Sequence, residues 1–144
     1  MSSPNSTLIV LARAIATRRL LDPALVCAVV EQESSWDSFA IRYEPAFRER
    51  YVVPLALPPT EEIARSISWG LMQVMGQSAR EHGFAAKSLA SLCDPAKGLA
   101  IGCAVLVSKI TQASGDIARA LQLWNGGANP DYASEVLARL PKYR

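Results

Sequence analysis

Immediately after Asp22-Pro23 the chain runs Ala24-Leu25-Val26-Cys27-Ala28-Val29-Val30, an unbroken apolar stretch, and then turns polar at Glu31-Gln32-Glu33-Ser34-Ser35. Aspartate before proline is a helix-start signal: the carboxylate caps free N–H groups of the first turn and the proline ring presets φ at the first helical position. A helix from about Ala24 to Ser35 is predicted. Because it is apolar on every side, it cannot lie at a surface and must be wrapped by other elements. The rest of the chain is therefore read as the material that surrounds it.

Most of that material carries helical periodicity. Leu8, Val10, Leu11, Ala14 and Ile15 predict a first amphipathic helix ending near Leu20. Asp94-Pro95 repeats the start signal and opens a helix through about Ile110; Gly115-Asp116 precedes another to roughly Trp124. Asn125-Gly126-Gly127-Ala128-Asn129-Pro130 is a turn, and Asp131 to Leu140 reads as the terminal helix. In the middle, Phe39 to Pro58 mixes aromatics, prolines and charges, which suggests a loop with a short helix around Ala46 to Tyr51 and a break at Pro54 to Pro59. Thr60-Glu61-Glu62 starts a further short helix. Gly70 to Met75 begins the next, with Gln77 to His82 extending it to Gly83, and Tyr51 to Leu57 is the place for a minor β-hairpin. No internal repeat or linker divides the chain, and 144 residues suffice for one core. The expected fold is one all-α, or mainly α, domain over residues 1–144 with a central buried helix.

A net charge of +2, with no Lys/Arg block, does not suit nucleic acid, and no apolar run reaches the roughly 18 residues of a membrane span. Cys27, Cys93 and Cys103, with the single histidine His82, lack metal-ligand spacing; reduced thiols, no metal and no organic cofactor are expected. Met1 to Ser6 has no basic n-region, and Arg13, Arg18 and Arg19 interrupt the first apolar segment, so no export signal is read there.

Glu33 is the candidate for chemistry. It lies three, four and seven residues after Val30, Val29 and Val26, and so continues an apolar stripe of the central helix. A carboxyl on such a stripe is either a helix-end group reaching solvent or a desolvated one with a raised pKa, the condition a general acid needs near neutral pH.

Three segments in order, Gln32-Glu33-Ser34-Ser35-Trp36, Gly70-Leu71-Met72-Gln73-Val74-Met75 and Leu123-Trp124-Asn125-Gly126-Gly127, resemble the soluble lytic transglycosylase catalytic domain, a relative of goose-type lysozyme. The resemblance runs from about Asp22 to Leu140. It implies a lysozyme-like domain that cleaves the β-1,4 bond between N-acetylmuramic acid and N-acetylglucosamine in peptidoglycan, with Glu33 as the single acid/base and a 1,6-anhydro product. It implies substrate-groove roles for Ser34, Gly70, Met72, Gln73, Trp124, Asn125 and Tyr132. Read without it, Ser34 is a helix-end hydroxyl, Met72 core filler, Asn125 part of a turn and Tyr132 an aromatic anchor.

The sequence also departs from the family pattern. Trp124 stands where tyrosine is usual, and an indole cannot accept a hydrogen bond. Either Tyr132 or Tyr43 then polarises Glu33, or Trp124 builds a sugar-stacking wall that desolvates it. Gly98 and Val105 replace a common asparagine and tyrosine. Arg42 and Glu44 lie where a second functional group could enter the cleft: Glu44, or Asp37, could position a water and make the enzyme a hydrolytic muramidase, or Arg42 and Glu44 could pair with each other or cap the next helix. A non-catalytic wall-binding module is the reading of another class. The partner expected is the glycan strand, with the chain acting as a monomer, without nucleic acid or membrane. Without an export signal, access to the wall would follow a phage-endolysin-type release or dedicated export.

Overall fold

A computed structural model describes residues 5–144. Two long helices open the fold, α1 (Ser6–Arg18) and α2 (Pro23–Ser34). α2 begins as its sequence dictates: the Asp22 carboxylate accepts from the Ala24 N–H at 2.9 Å, with Pro23 in the first helical position. From Ala24 to Val30 no side chain is more than 3% exposed. Each fully buried valine or leucine there contributes roughly 1.5–3 kcal/mol relative to exposure, so this helix anchors the core. It is wrapped by α1, by α6 (Pro95–Gln112) with α7 (Ile117–Asn125), and by α8 (Tyr132–Ala138) with α9 (Leu140–Tyr143). Asp94 and Asp116 cap α6 and α7 by accepting from the Lys97 and Arg119 N–H groups, each at 3.1 Å. These boundaries match those read from the sequence within a few residues, except that the terminal helix read as continuous to Leu140 ends at Ala138 and α9 follows as a separate helix.

The middle of the chain differs from expectation. A three-stranded antiparallel sheet forms from β1 (Ile41–Tyr43), β2 (Ile67–Trp69) and β3 (Val74–Met75), in that spatial order. Arg42 faces Ser68, and Ser68 faces Met75. The hairpin anticipated at Tyr51 to Leu57 is absent: α3 (Pro45–Phe47) leads into a π-type turn at Arg48–Val52 and a 3-10 turn at Val53–Leu55. α4 (Pro59–Arg65) follows, tied to the turn by Arg48, whose guanidinium donates to Glu62 at 2.5 Å and to the Tyr43 hydroxyl at 3.1 Å.

The segment read as the start of a helix at Gly70 is instead the turn between β2 and β3, and α5 spans only Gly76–Glu81. The reason is local. Gly70 and Gln73 both adopt left-handed backbone, φ +73° and +52°, which no helix tolerates. Gly70 and Gly98 both press on the Leu92 carbonyl oxygen, where a Cβ would stand 2.7 Å and 2.5 Å away. Gly98, a departure from the family's asparagine in the sequence, is thus required by the close approach of α6 to this carbonyl.

Candidate active site

α2 ends by turning sharply. Ser35 and Trp36 take left-handed conformations, φ +50° and +67°, held by the buried Trp36 ring, whose Nε1 donates to the Tyr143 hydroxyl at 3.0 Å. One turn earlier, Glu33 projects from the last turn of α2 toward α7 and α8. Its Oε2 accepts from the Tyr132 hydroxyl at 2.5 Å and from Trp124 Nε1 at 3.3 Å. Tyr132 is 3% exposed and opens α8, whereas Trp124 is half-buried near the end of α7. The two donors therefore converge on one oxygen and leave Oε1 outside that arrangement.

Burial raises the Glu33 pKa above the ordinary 4.5, against the opposing pull of the Tyr132 and Trp124 hydrogen bonds and of the nearby Arg42 charge. Desolvation wins because few charges reach a carboxyl enclosed by helices. The Tyr132 hydroxyl is itself driven upward by burial and by the Glu33 charge, so it stays protonated and has a proton to donate to Glu33. The arrangement can hold a protonated carboxyl in a largely dry setting, aimed by two fixed donors. Its neighbour Glu31 is the opposite case: burial pushes it upward, but hydrogen bonds from Lys142, Tyr143 and Arg139 outweigh burial and hold it at about 2.

The other residues singled out from the sequence fall into two groups. Trp124 and Tyr132 touch Glu33 directly. The question raised by tryptophan in place of tyrosine is thereby answered in physical terms: an indole cannot accept, but here a donor is what the carboxylate oxygen meets, and Tyr132 supplies the hydroxyl. Tyr43 does not take this role; its hydroxyl accepts from Arg48.

Ser34, Gly70, Met72, Gln73 and Asn125 shape the surroundings. Ser34 Oγ donates to the Leu71 carbonyl at 2.8 Å, stapling the end of α2 to the β2–β3 turn. Gln73 holds that turn from within: Nε2 donates to the carbonyls of Ala40 at 2.9 Å and Gly70 at 3.0 Å, and Oε1 accepts from Ser68 Oγ at 2.9 Å. Both the donor and the acceptor of this carboxamide are thus engaged in bracing. Met72 corrects the expectation of a groove contact: it is 0% exposed and fills the space over Gly102, where a Cβ would stand 2.3 Å from its sulfur. Gly70 is buried as well, so its part is the close approach to Leu92. Asn125 steadies the glycine turn: with its carboxamide rotated to face its oxygen to the backbone, that oxygen accepts from the N–H groups of Asn129 at 2.7 Å and Ala128 at 3.1 Å. Gly126 and Gly127, at φ +76° and +81°, allow that turn.

Of the two candidate second carboxylates, Glu44 pairs with Arg42 at 3.1 Å, and its side chain does not cap α3. Asp37 forms a local turn, accepting from the Phe39 N–H at 2.9 Å. Neither is hydrogen-bonded to Glu33. Sequence reasoning passed over Gln122, whose Oε1 accepts from the Ala133 N–H at 2.9 Å and whose Nε2 donates to the Asn129 carbonyl at 3.2 Å. It clamps the α7–α8 turn and so fixes where Tyr132 begins. A glutamine three residues before the Asn-Gly-Gly turn was the available signal.

The model of the transglycosylase SLT domain family matches residues 10–136, a span that includes Glu33, the β2–β3 turn, Trp124 and Tyr132. The chain belongs to this family. The family comprises lytic transglycosylases, and the chain is a peptidoglycan-degrading enzyme of mainly α, lysozyme-like architecture. Neither a curated protein nor a solved structure gives a significant match to the chain.

Proposed function

We propose that the chain cleaves the β-1,4 bond between N-acetylmuramic acid and N-acetylglucosamine with Glu33 as its only acid/base, and releases 1,6-anhydro-muramic ends. The convergence of Tyr132 and Trp124 on Glu33 Oε2 carries this reading. With two donors on that oxygen, the proton of the neutral carboxyl belongs on Oε1. From there it passes to the glycosidic oxygen as the C1–O bond breaks, and the N-acetylglucosamine end leaves as an alcohol. The muramic 6-hydroxyl then adds to C1, and its proton returns to Oε1. Bonds and protons balance without water, so one carboxyl serves both steps, unlike the paired carboxyls of hydrolytic glycosidases. The ionised intermediate state is stabilised by the same two donors, which are prepositioned and need not reorganise.

The engagement of Glu44 by Arg42 and of Asp37 by its own turn supports a single-carboxyl mechanism over a hydrolytic muramidase. Mass spectrometry of digested murein tests it. Anhydro-muropeptides are expected from the wild type, and Glu44→Gln should keep rate and products within about twofold, as expected for an exposed ion pair. Reducing-end products, or their loss with Glu44→Gln, would instead establish hydrolysis through a second carboxylate.

A further inference from the structure

The last turn of α2 sets three consecutive polar side chains against the C-terminal helices. Glu33 meets Tyr132. Glu31 accepts from Arg139, from Lys142 Nζ at 2.8 Å and from the Tyr143 hydroxyl at 2.6 Å. Gln32 lies between them: its Nε2 donates to Glu135 Oε2 at 2.7 Å and its Oε1 accepts from Arg139 Nε at 2.9 Å. Tyr132, Glu135 and Arg139 follow the three-and-seven spacing that brings side chains onto one helical face. Asn129 Nδ2 donates to the same Glu135 oxygen at 3.3 Å, which ties in the loop entering α8.

This seam requires a side chain that donates and accepts at once. Glu135 offers only acceptors and Arg139 only donors. A carboxylate at position 32 would satisfy Arg139 and repel Glu135; a lysine would do the reverse. An apolar residue would remove a partner from both charged groups.

We propose that Gln32 is a positioning residue: by bridging Glu135 and Arg139, its carboxamide holds α8 in the register that sets the Tyr132 hydroxyl on Glu33. This rests on the reading of Glu33 as the acid, and Gln32 acts through Tyr132 without touching substrate. The register of α8 decides whether the Tyr132 hydroxyl meets Glu33 Oε2. Hydrogen bonds weaken steeply with misalignment, and a misplacement of 1 Å at a reacting group can cost on the order of a hundredfold in rate.

Gln32→Met removes both polar contacts at similar volume. On a soluble peptidoglycan oligomer, kcat is expected to fall about tenfold with KM within about twofold, the pattern of a lost transition-state interaction. The alkaline limb of kcat/KM should move upward, because the Tyr132 bond that opposes the effect of burial on Glu33 is loosened. In a Tyr132→Phe background the same substitution should change kcat by less than about twofold, since the bond it supports is already gone. The double exchange Gln32→Glu with Glu135→Gln restores a donor facing an acceptor, and should recover most of the activity lost by Gln32→Glu alone. Equal losses from Gln32→Met in both backgrounds, or a lowered melting temperature with kcat unchanged, would overturn the proposal. Glu33→Gln and Tyr132→Phe separate the two levels. If both are as active as wild type, the acid reading fails and the positioning role with it; if both lose activity and Gln32→Met does not, the positioning role alone fails.

Discussion

Glu33→Gln is expected to lower the rate of murein cleavage by about a thousandfold, the scale of removing a positioned general acid, while the protein folds as well as before or better. The two halves have one cause. Glutamine keeps the shape and still accepts from Tyr132 and Trp124, but it has no proton to give. Burial raises the wild-type Glu33 pKa, so the folded state disfavours the ionised carboxyl that the unfolded chain carries at neutral pH. A raised carboxyl pKa costs stability as pH climbs past the unfolded value, and a neutral amide does not incur that cost. Melting temperature at pH 7 should therefore be equal or higher in the variant, alongside near-complete loss of activity. A variant that is inactive because it is unfolded would show the opposite change in melting temperature and would not support the acid role.

Gly70→Ala should be strongly destabilising, because strain and overpacking act at the same residue. An L-residue forced to φ +73° costs roughly 1–2 kcal/mol in backbone strain. The added methyl would also stand 2.7 Å from the Leu92 carbonyl oxygen, a backbone atom that cannot swing aside, and overpacking of this kind costs typically about 1–3 kcal/mol. Together they amount to about 3 kcal/mol, a fall in melting temperature of roughly 10 °C for a domain of this size. Gly83→Ala is the internal control. Gly83 has φ +87° with nothing within 4 Å of a built Cβ, so it bears the conformational cost alone. Thermal melts of the two variants should differ clearly; equal losses would mean that the approach of the β2–β3 turn to Leu92 is not a tight constraint. Because Ser34 and Gln73 both brace this turn, Gly70→Ala should also depress activity more than Gly83→Ala.

The central helix was legible because its signals are local and agree: an Asp-Pro start, an uninterrupted apolar body, and a polar end that carries Glu33. The helices opening at Asp94 and Asp116 were legible for the same reason. The strands were not. β1, β2 and β3 are three, three and two residues long, too short for an alternating pattern to register, and Ser68 is buried by pairing with Arg42 and Met75, which lie far from it in sequence or across a turn. The Gly-Leu-Met-Gln stretch reads as helical by propensity; tertiary packing on Leu92 and the internal bonds of Gln73 override that preference. At the site, the position of Glu33 on the apolar stripe gave its partial burial, but its partners come from residues some ninety to a hundred positions later. Trp124 illustrates the limit. Its chemistry rules out accepting a hydrogen bond, yet whether donation would serve depends on where the carboxylate oxygen lies. Gln32 was passed over because a polar residue beside an apolar stripe ordinarily faces solvent, and only the placement of Glu135 and Arg139 gives its carboxamide two partners.

The carboxyl of Glu33, followed by carbon-13 NMR as pH is raised, tests the central claim most directly. Its midpoint is expected above the ordinary 4.5 and should rise further in Tyr132→Phe, because the hydroxyl bond that favours the ionised form is lost. A midpoint at or below the ordinary value, or a downward shift in Tyr132→Phe, would contradict a buried, proton-holding acid at position 33.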